Sequence, residues 1–278
     1  MKRQFVMLTF DLEEFDIPEE YGQKVSTKEQ FDITLEGMDR LKKLLAVHRI
    51  PVTFFTTGNF ALKNPELIKK LSQRHEIASH ALFHSPFHEF RQEDILESKQ
   101  ILEEVTGIKV TGFRMPRLKP LNISRLSDWG FQYDSSINPT FLPGRYNLLH
   151  KSAEPTVEKG LIILPCSTSP TLRFPLFWLS FKNLPSALYT AIAKRTLRKR
   201  RNLMLYFHPW EFAGIDHYKL PGYVKKPNGE RLIQKLDYLI SALKETGAEF
   251  ITSQDYCAYL IKTDKAFQSV DKSAAEFD

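Results

Sequence analysis

Cysteine is scarce. Two residues, Cys166 and Cys257, in a chain of 278 cannot build a disulfide framework, and they lack metal-type spacing with one another. That count is compatible with a reducing compartment. Long apolar runs are missing too, and none reaches the roughly 18 residues of a membrane span. Met1-Lys2-Arg3-Gln4 leads straight into a strand-like segment too short and too polar-ended for a secretion signal, which points to the cytoplasm. There is no internal repeat and no long linker, which excludes a solenoid. What remains is ample core material: 42% hydrophobic residues and 12% aromatics, with 21 Phe. A chain of this length suits one large α/β barrel or two small domains.

Acid is absent from one informative place. Lys194-Arg195-Thr196-Leu197-Arg198-Lys199-Arg200-Arg201 holds six basic residues, which equals the whole net charge of +6. The rest is a neutral body, so the charge does not imply nucleic acid. The basic run follows the apolar, aromatic stretch Phe174–Leu179 and a helix expected from Ser186. Apolar surface next to clustered cations suits an anionic membrane or a phosphorylated ligand. A solvated helix end, with cations favoured by the C-terminal dipole, is the other reading.

Strand and helix signals alternate along the chain. Phe5–Phe10 reads as a buried strand, and Phe31, Leu35, Met38, Leu41 and Leu45 recur at helical spacing up to His48. Val52–Thr56 is the second strand, and Asn64-Pro65 opens a helix through Leu71. Glu76–Ser79 is a short third strand. A helix over Gln92–Thr106 ends at Gly107. Val110–Arg114, Gly130–Ser135, Leu161–Pro165 and Met204–Phe207 are further strands. Glu230–Thr246 is a helix closed by Gly247, Ala248–Thr252 is the last strand, and Ser253 caps a final helix. Such alternation predicts a parallel sheet, closed as a barrel or nearly so. The expected organisation is one domain over 1–262, with an insertion at about 168–201 that carries the basic patch and a disordered tail at 263–278.

The polar residues fall at telling places. His80, His84 and His88 follow the third strand at four-residue intervals, and with His75 they make half of the eight histidines. An i,i+4 pair on one helical face can grip a single ion. Asp11 and Glu13 follow the first strand, Arg114 ends the fourth and Asp134 the fifth, and His208 follows Met204–Phe207. In parallel barrels the catalytic face lies where strands reach their C-terminal ends. Singly, Asp11 is also a turn residue, Arg114 a surface ion pair and His208 a satisfied turn histidine. Together at one end of the sheet they look like an active site.

Six segments, in order, carry a family resemblance: Thr9-Phe10-Asp11-Leu12-Glu13, Pro51–Gly58, His75-Glu76-Ile77-Ala78-Ser79-His80 followed by His84, Gly112-Phe113-Arg114-Met115-Pro116, Phe131–Ser136 and Leu205-Tyr206-Phe207-His208-Pro209. They resemble the motifs of the NodB-like polysaccharide deacetylases, carbohydrate esterase family 4, over nearly the full length. The resemblance implies a distorted (β/α) barrel of about seven parallel strands. It also implies a single divalent ion, most often zinc, and removal of acetyl groups from sugars. It casts Glu13, His80 and His84 as metal ligands, Asp11 as general base, His208 as general acid, Arg114 as brace of the base and Asp134 as the group tuning the acid. Two departures stand out. Leu12 replaces the second of two adjacent aspartates, leaving Glu13, with Glu14 and Asp16 as competitors. Ala81 stands where Ser or Thr is common, so a loop-fixing hydrogen bond is absent and looser metal affinity is expected. His84 with His88 is the alternative ligand pair.

The leading expectation is a metal-dependent N-deacetylase acting on a glycan, a lipid-linked intermediate or a nucleotide sugar. The basic segment Lys194–Arg201 would hold it on anionic membrane at the inner face, or on a carrier's diphosphate. An amidohydrolase acting on a small cyclic amide or ureide and an inactive carbohydrate-binding relative are the alternatives.

Overall fold

Strand β1, Phe5–Leu12, is buried at every residue. A run buried on both faces needs cover on both sides of its sheet, which is how parallel sheets are built. The computed structural model describes residues 3–85, 87–120 and 122–270. After β1 come α1 (Thr27–His48), β2 (Thr53–Thr56), α2 (Gly58–Lys63), α3 (Pro65–Ser72), β3 (Glu76–Ser79), α4 (Glu93–Thr106), β4 (Gly112–Phe113) and β5 (Tyr133–Asp134). A small hairpin, β6 (Phe141–Leu142) and β7 (Tyr146–Asn147), precedes β8 (Thr156–Glu158) and β9 (Leu161–Ile163). The chain continues through α5 (Trp178–Asn183), α6 (Ser186–Arg200), β10 (Asn202–Phe207), α7 (Gly222–Lys225), α8 (Gly229–Lys244), β11 (Glu249–Phe250) and α9 (Ser253–Thr263).

The strands run β10-β1-β2-β3-β4-β5-β9, all parallel, with β8 antiparallel at the edge. β11 adds a short parallel rung to the start of β1. The seven parallel strands of the main path match the number expected and curl into an incomplete barrel. In place of a ladder between β9 and β10, Ser167 N–H donates to the Met204 carbonyl at 3.0 Å, and Met204 N–H to Ser167 Oγ at 2.9 Å.

The period of two in a strand decides what lies inside. Phe5 and Met7 of β1, Phe55 of β2, Ala78 of β3, Tyr133 of β5 and Met204 of β10 form one buried cluster in the barrel. Their neighbours Val6, Leu8 and Phe10 belong to the larger outer core shared with the helices. Continuing the inward register past Met7, Ala78 and Met204 reaches Asp11, His80 and His208. The site residues are therefore the top rung of the interior pattern.

Helix ends follow local chemistry. Ser26 accepts the Glu29 N–H at 3.3 Å to open α1, and Gly107 closes α4 at φ 70°. α1 lies against the short 3₁₀ turn Pro209–Phe212 that follows His208. The approach is so close that a Cβ at Gly37 would sit 1.8 Å from the Pro209 carbonyl oxygen.

Three expectations about extent are corrected. Strands β4, β5, β9 and β11 are shorter than their apolar segments, because the flanking residues turn toward the site or into loops. The stretch 168–201 is not an appended insertion, since α6 is the crossover into β10 and the buried Tyr189, Ala193 and Leu197 tie it to the outer core. Nor are 263–270 a loose tail: Phe267 and Val270 are buried beside Met7 and Tyr256 and help close the lower end of the barrel. Residues 271–278 lie outside the described residues.

Candidate active site

Glu13 lies one residue past β1 and is buried, with Oε2 3.2 Å from His80 Nε2 and 3.1 Å from His84 Nε2. These three residues are brought together as a potential metal triad, their donor atoms all within 4.8 Å of one another. The groups behind the two imidazoles fit that use. His80 Nδ1 lies 2.8 Å from the Arg114 carbonyl, so an N–H there leaves Nε2 as a free donor. His84 Nδ1 sits 2.9 and 3.0 Å from the two oxygens of Asp16, which orients that ring the same way. Two aligned Nε2 atoms and a carboxylate oxygen suit a hydrolytic divalent ion with a coordination position to spare.

The charge balance supports the same reading. Burial alone would raise Glu13, but the imidazoles of His84, His208 and His80 outweigh it and hold the carboxyl well below its usual range. Burial alone would lower His84, yet Asp16 and Glu13 raise it to about 10 in the metal-free protein. Glu14, a competitor for the ligand role, turns away to Thr57 (3.2 Å) and Asn59, and burial pushes its carboxyl up. Asp16, the other competitor, holds the Nδ1 side of His84 and also pairs with Arg117 at 3.1 Å.

The four histidines separate. His88 pairs with Asp94 at 2.8 Å at the start of α4, away from the triad. His75 lies edge-on to Phe54, before β3. The alternative pair His84/His88 is therefore not assembled. The helical rationale for the spacing also fails, because His80 and His84 sit on an irregular loop in which Ala81 has φ 56°. That loop has other fixings than a side chain at 81: Gly58 N–H donates to the Ala81 carbonyl at 2.9 Å and Asn59 N–H to that of Leu82 at 3.0 Å.

Asp11, Arg114 and His208 stand around the triad. Arg114 is wholly buried, stacked on Phe55 at 4.0 Å, and donates to Asp11 Oδ1 at 2.6 Å, Thr9 Oγ1 at 2.9 Å and Ser135 Oγ at 3.0 Å. Its fork fixes one oxygen of Asp11, while Oδ2 lies 3.9 Å from His208 Nε2. The His208 ring is stacked on Trp210 and met edge-on by Trp178, at 5.0 and 5.2 Å between centroids. Trp210 Nε1–H also donates to Glu13 Oε1 at 3.1 Å, tying this wall to the triad.

Asp134 ends β5, as expected; its carboxylate takes the Ser136 hydroxyl, and burial raises it to about 6. Glu211 occupies the place beside His208 that Asp134 was expected to take. Its Oε1 lies 3.0 Å from His208 Nδ1 and accepts the His208 N–H at 2.8 Å. Lys182, also fully buried, pairs with the other oxygen at 3.5 Å. Burial alone would lower His208, but Glu13, Glu211 and Asp11 outweigh it and raise its affinity for a proton. The signal missed in the sequence is the spacing His208-x-x-Glu211, a capping-box pattern at the start of a turn.

The cleft over these groups is lined by Asp11, Glu13, His80, His84 and His208 below, and by Arg117, Leu142, Arg145, Tyr146, Phe177, Trp178 and Leu179 around the rim. Phe177 and Trp178, read from the sequence as neighbours of the basic patch, thus belong to the cleft. The largest cavity described, about 720 Å³ between α1 and α3, holds none of these groups.

A sequence model described as "polysaccharide deacetylase" matches residues 1–133. A chitooligosaccharide deacetylase of Sinorhizobium fredii is 35% identical over 68 residues, 24% of this chain and 31% of that one. A peptidoglycan deacetylase of Helicobacter pylori is 30% identical over 108 residues, 36% of this chain and 37% of that one. The chain thus spans about a third of the length of these curated relatives. Among solved structures, the Puue allantoinase aligns over 94% of this chain and 91% of its own at TM-score 0.65 and 17% identity. A family 4 pseudoenzyme from Bacillus anthracis aligns over 91% of this chain and 65% of its own, at TM-score 0.52 and 13% identity. At such identities the structural likeness establishes the fold alone.

Proposed function

We propose that this chain belongs to the NodB-like polysaccharide deacetylases and is a metal-dependent hydrolase that removes an N-acetyl group from a sugar. One observation carries the reading: Asp11 and His208 flank the Glu13–His80–His84 triad, with His208 Nε2 3.9 Å from both Asp11 Oδ2 and Glu13 Oε1. Zinc is the ion assigned to the triad. When bound, a divalent ion supplies Lewis-acid polarisation of the acetyl carbonyl and of the attacking water.

The chain's own residues handle the protons. Asp11 accepts the proton of the attacking water at Oδ2, because Arg114 occupies Oδ1. Arg114 acts by holding that carboxylate in place. His208 gives a proton from Nε2 to the leaving amine, which is otherwise a very poor leaving group. Glu211 holds Nδ1, so Nε2 is the end that faces the cleft. Trp178 and Trp210 fix the imidazole plane and keep bulk water from its faces.

The substrate class assigned is an N-acetylated biosynthetic sugar in the cytoplasm: a glycan, a lipid-linked intermediate or a nucleotide sugar. Names of the two curated relatives support a sugar, and the intact proton-handling pair speaks against an inactive carbohydrate-binding relative. A cyclic amide or ureide is the second reading, favoured by the allantoinase likeness. The deciding experiment measures acetate release from a panel of N-acetylated glycans and nucleotide sugars, and ring opening of cyclic ureides, with and without zinc after chelation. Metal-restored acetate release is the expected result. Ring opening with no acetate release would replace the proposal by the second reading.

A further inference from the structure

From Lys159 to Trp210 the chain contains no Asp or Glu, while nine Lys and Arg fall in the same stretch. The structure shows which of the cations in its basic run are committed. Lys194 pairs with Glu245 at 3.4 Å, and Arg200 with Glu154 at 3.1 Å. Arg195, Arg198 and Lys199 are exposed and have no carboxylate within ion-pair distance among the described residues. Beside them lies exposed apolar surface. Residues 168–175 fold back on themselves through a Thr168–Pro175 bridge, and Ser169 N–H donates to the Phe174 carbonyl at 2.7 Å. Leu172 stands at the tip of that finger, 85% exposed, with Phe174 and the half-exposed Leu188 behind it. Between finger and helix runs a trough of about 360 Å³ walled by Leu172, Phe174, Leu184, Leu188, Ile192 and Arg195. On α6 the positions 188, 192, 195 and 199 share one face, so the apolar trough grades directly into unpaired cations.

We propose that this face, the finger 168–175 with the outer side of α6, docks the protein on an anionic lipid bilayer. Charge complementarity selects the occupant. A protein partner of mixed charge would find no acid on the finger or on α6 itself, the nearest being Glu154 and Glu245, already paired with Arg200 and Lys194, whereas an anionic bilayer asks for cations and a greasy prong only. The chemistry of the cleft is not needed for this docking. The cations do not serve the cleft directly: Arg201, at the end of their run, and His208 stand at opposite ends of β10, whose six residues span roughly 20 Å. A carrier's diphosphate seated at the cleft therefore lies beyond these cations, and they address a surface.

Each unpaired cation near an anionic surface multiplies partitioning about fivefold, so three contribute on the order of a hundredfold, within reach of salt screening. The test is co-sedimentation of the full chain with vesicles of pure phosphatidylcholine or of phosphatidylcholine with 30% (about a third) phosphatidylglycerol, at low and high salt. Wild type should bind only the anionic vesicles, and lose them at high salt. The combined Arg195→Gln, Arg198→Gln, Lys199→Gln variant should bind on the order of a hundredfold more weakly, and Leu172→Ser several-fold more weakly, both with unchanged melting temperature. The proposal is overturned if wild type ignores anionic vesicles at low salt, or if the triple variant binds them as wild type does. Wild type that ignores vesicles yet is retained by an immobilised acidic, apolar peptide would assign the face to a protein partner instead.

Discussion

Two glutamates are shut inside the same barrel and are shifted in opposite directions. Glu13, just past the upper end of β1, is held well below its usual range, because the imidazoles of His84, His208 and His80 overcome burial. Glu76, the first residue of β3 at the lower end, is raised by burial. Its neighbours are neutral donors: the Tyr133 and Thr53 hydroxyls at 2.7 Å each and the Gln254 N–H at 3.0 Å. Neutral donors satisfy a buried carboxyl without offering an ion anything to bind, and imidazoles offer both. The difference teaches that a buried acid is assigned by what surrounds it; depth alone would have made these two equivalent.

The comparison breaks first at the upper end. His80→Ala and Glu13→Gln should lose the bound ion, read by elemental analysis, and with it all measurable turnover. Asp11→Asn and His208→Ala should keep the ion and lose on the order of 10²–10⁴ in kcat. Metal retained by the first pair, or near-normal turnover in the second, would undo the assignment of roles.

A finer test separates Glu211 from Asp134. The alkaline limb of the activity profile reports loss of the proton from the general acid. Glu211→Gln removes a carboxylate that raises His208, so that limb should move to lower pH, with kcat down by about 10–100-fold. Asp134→Asn should leave the limb in place. A shift with Asp134→Asn and none with Glu211→Gln would restore the role expected from the motif.

The smallest effect belongs to the lower end. Glu76→Gln should leave metal content intact and kcat within about twofold, while costing roughly 1–2 kcal/mol of stability through a poorer fit to three donors. Because burial raises Glu76 above its unfolded value, its contribution is full below the ordinary carboxylate range. It declines as pH rises through the folded value, so denaturant melts of the wild type should show a slope with pH that the Gln variant lacks. Loss of metal from this variant would mean the two ends are coupled.

Much of this was legible in the chain. Phe5–Phe10 announces a strand covered on both faces, and continuing its alternation one step brings Asp11 inward. His80 and His84 belong together, although on a loop and not on a helix; side-chain spacing alone cannot tell these apart. Glu211 was not legible, and the surroundings of Asp134 were not either, because motif order places a residue at a strand end without saying where its side chain turns. Phe177 and Trp178 adjoin the basic run in sequence, yet α5 carries them into the cleft while α6 carries the cations to the far end. Such separations are made by tertiary packing, which no local pattern encodes.

Gly37 has a consequence for how this protein tolerates variation. It lies in mid-helix and lines no part of the cleft, but the Pro209 carbonyl occupies the space where its side chain would be. A single added methyl must push away the turn that begins at His208. In a mutational survey Gly37 would therefore score with the proton-handling groups, and a reader of such a survey would be led to a helix that never meets substrate.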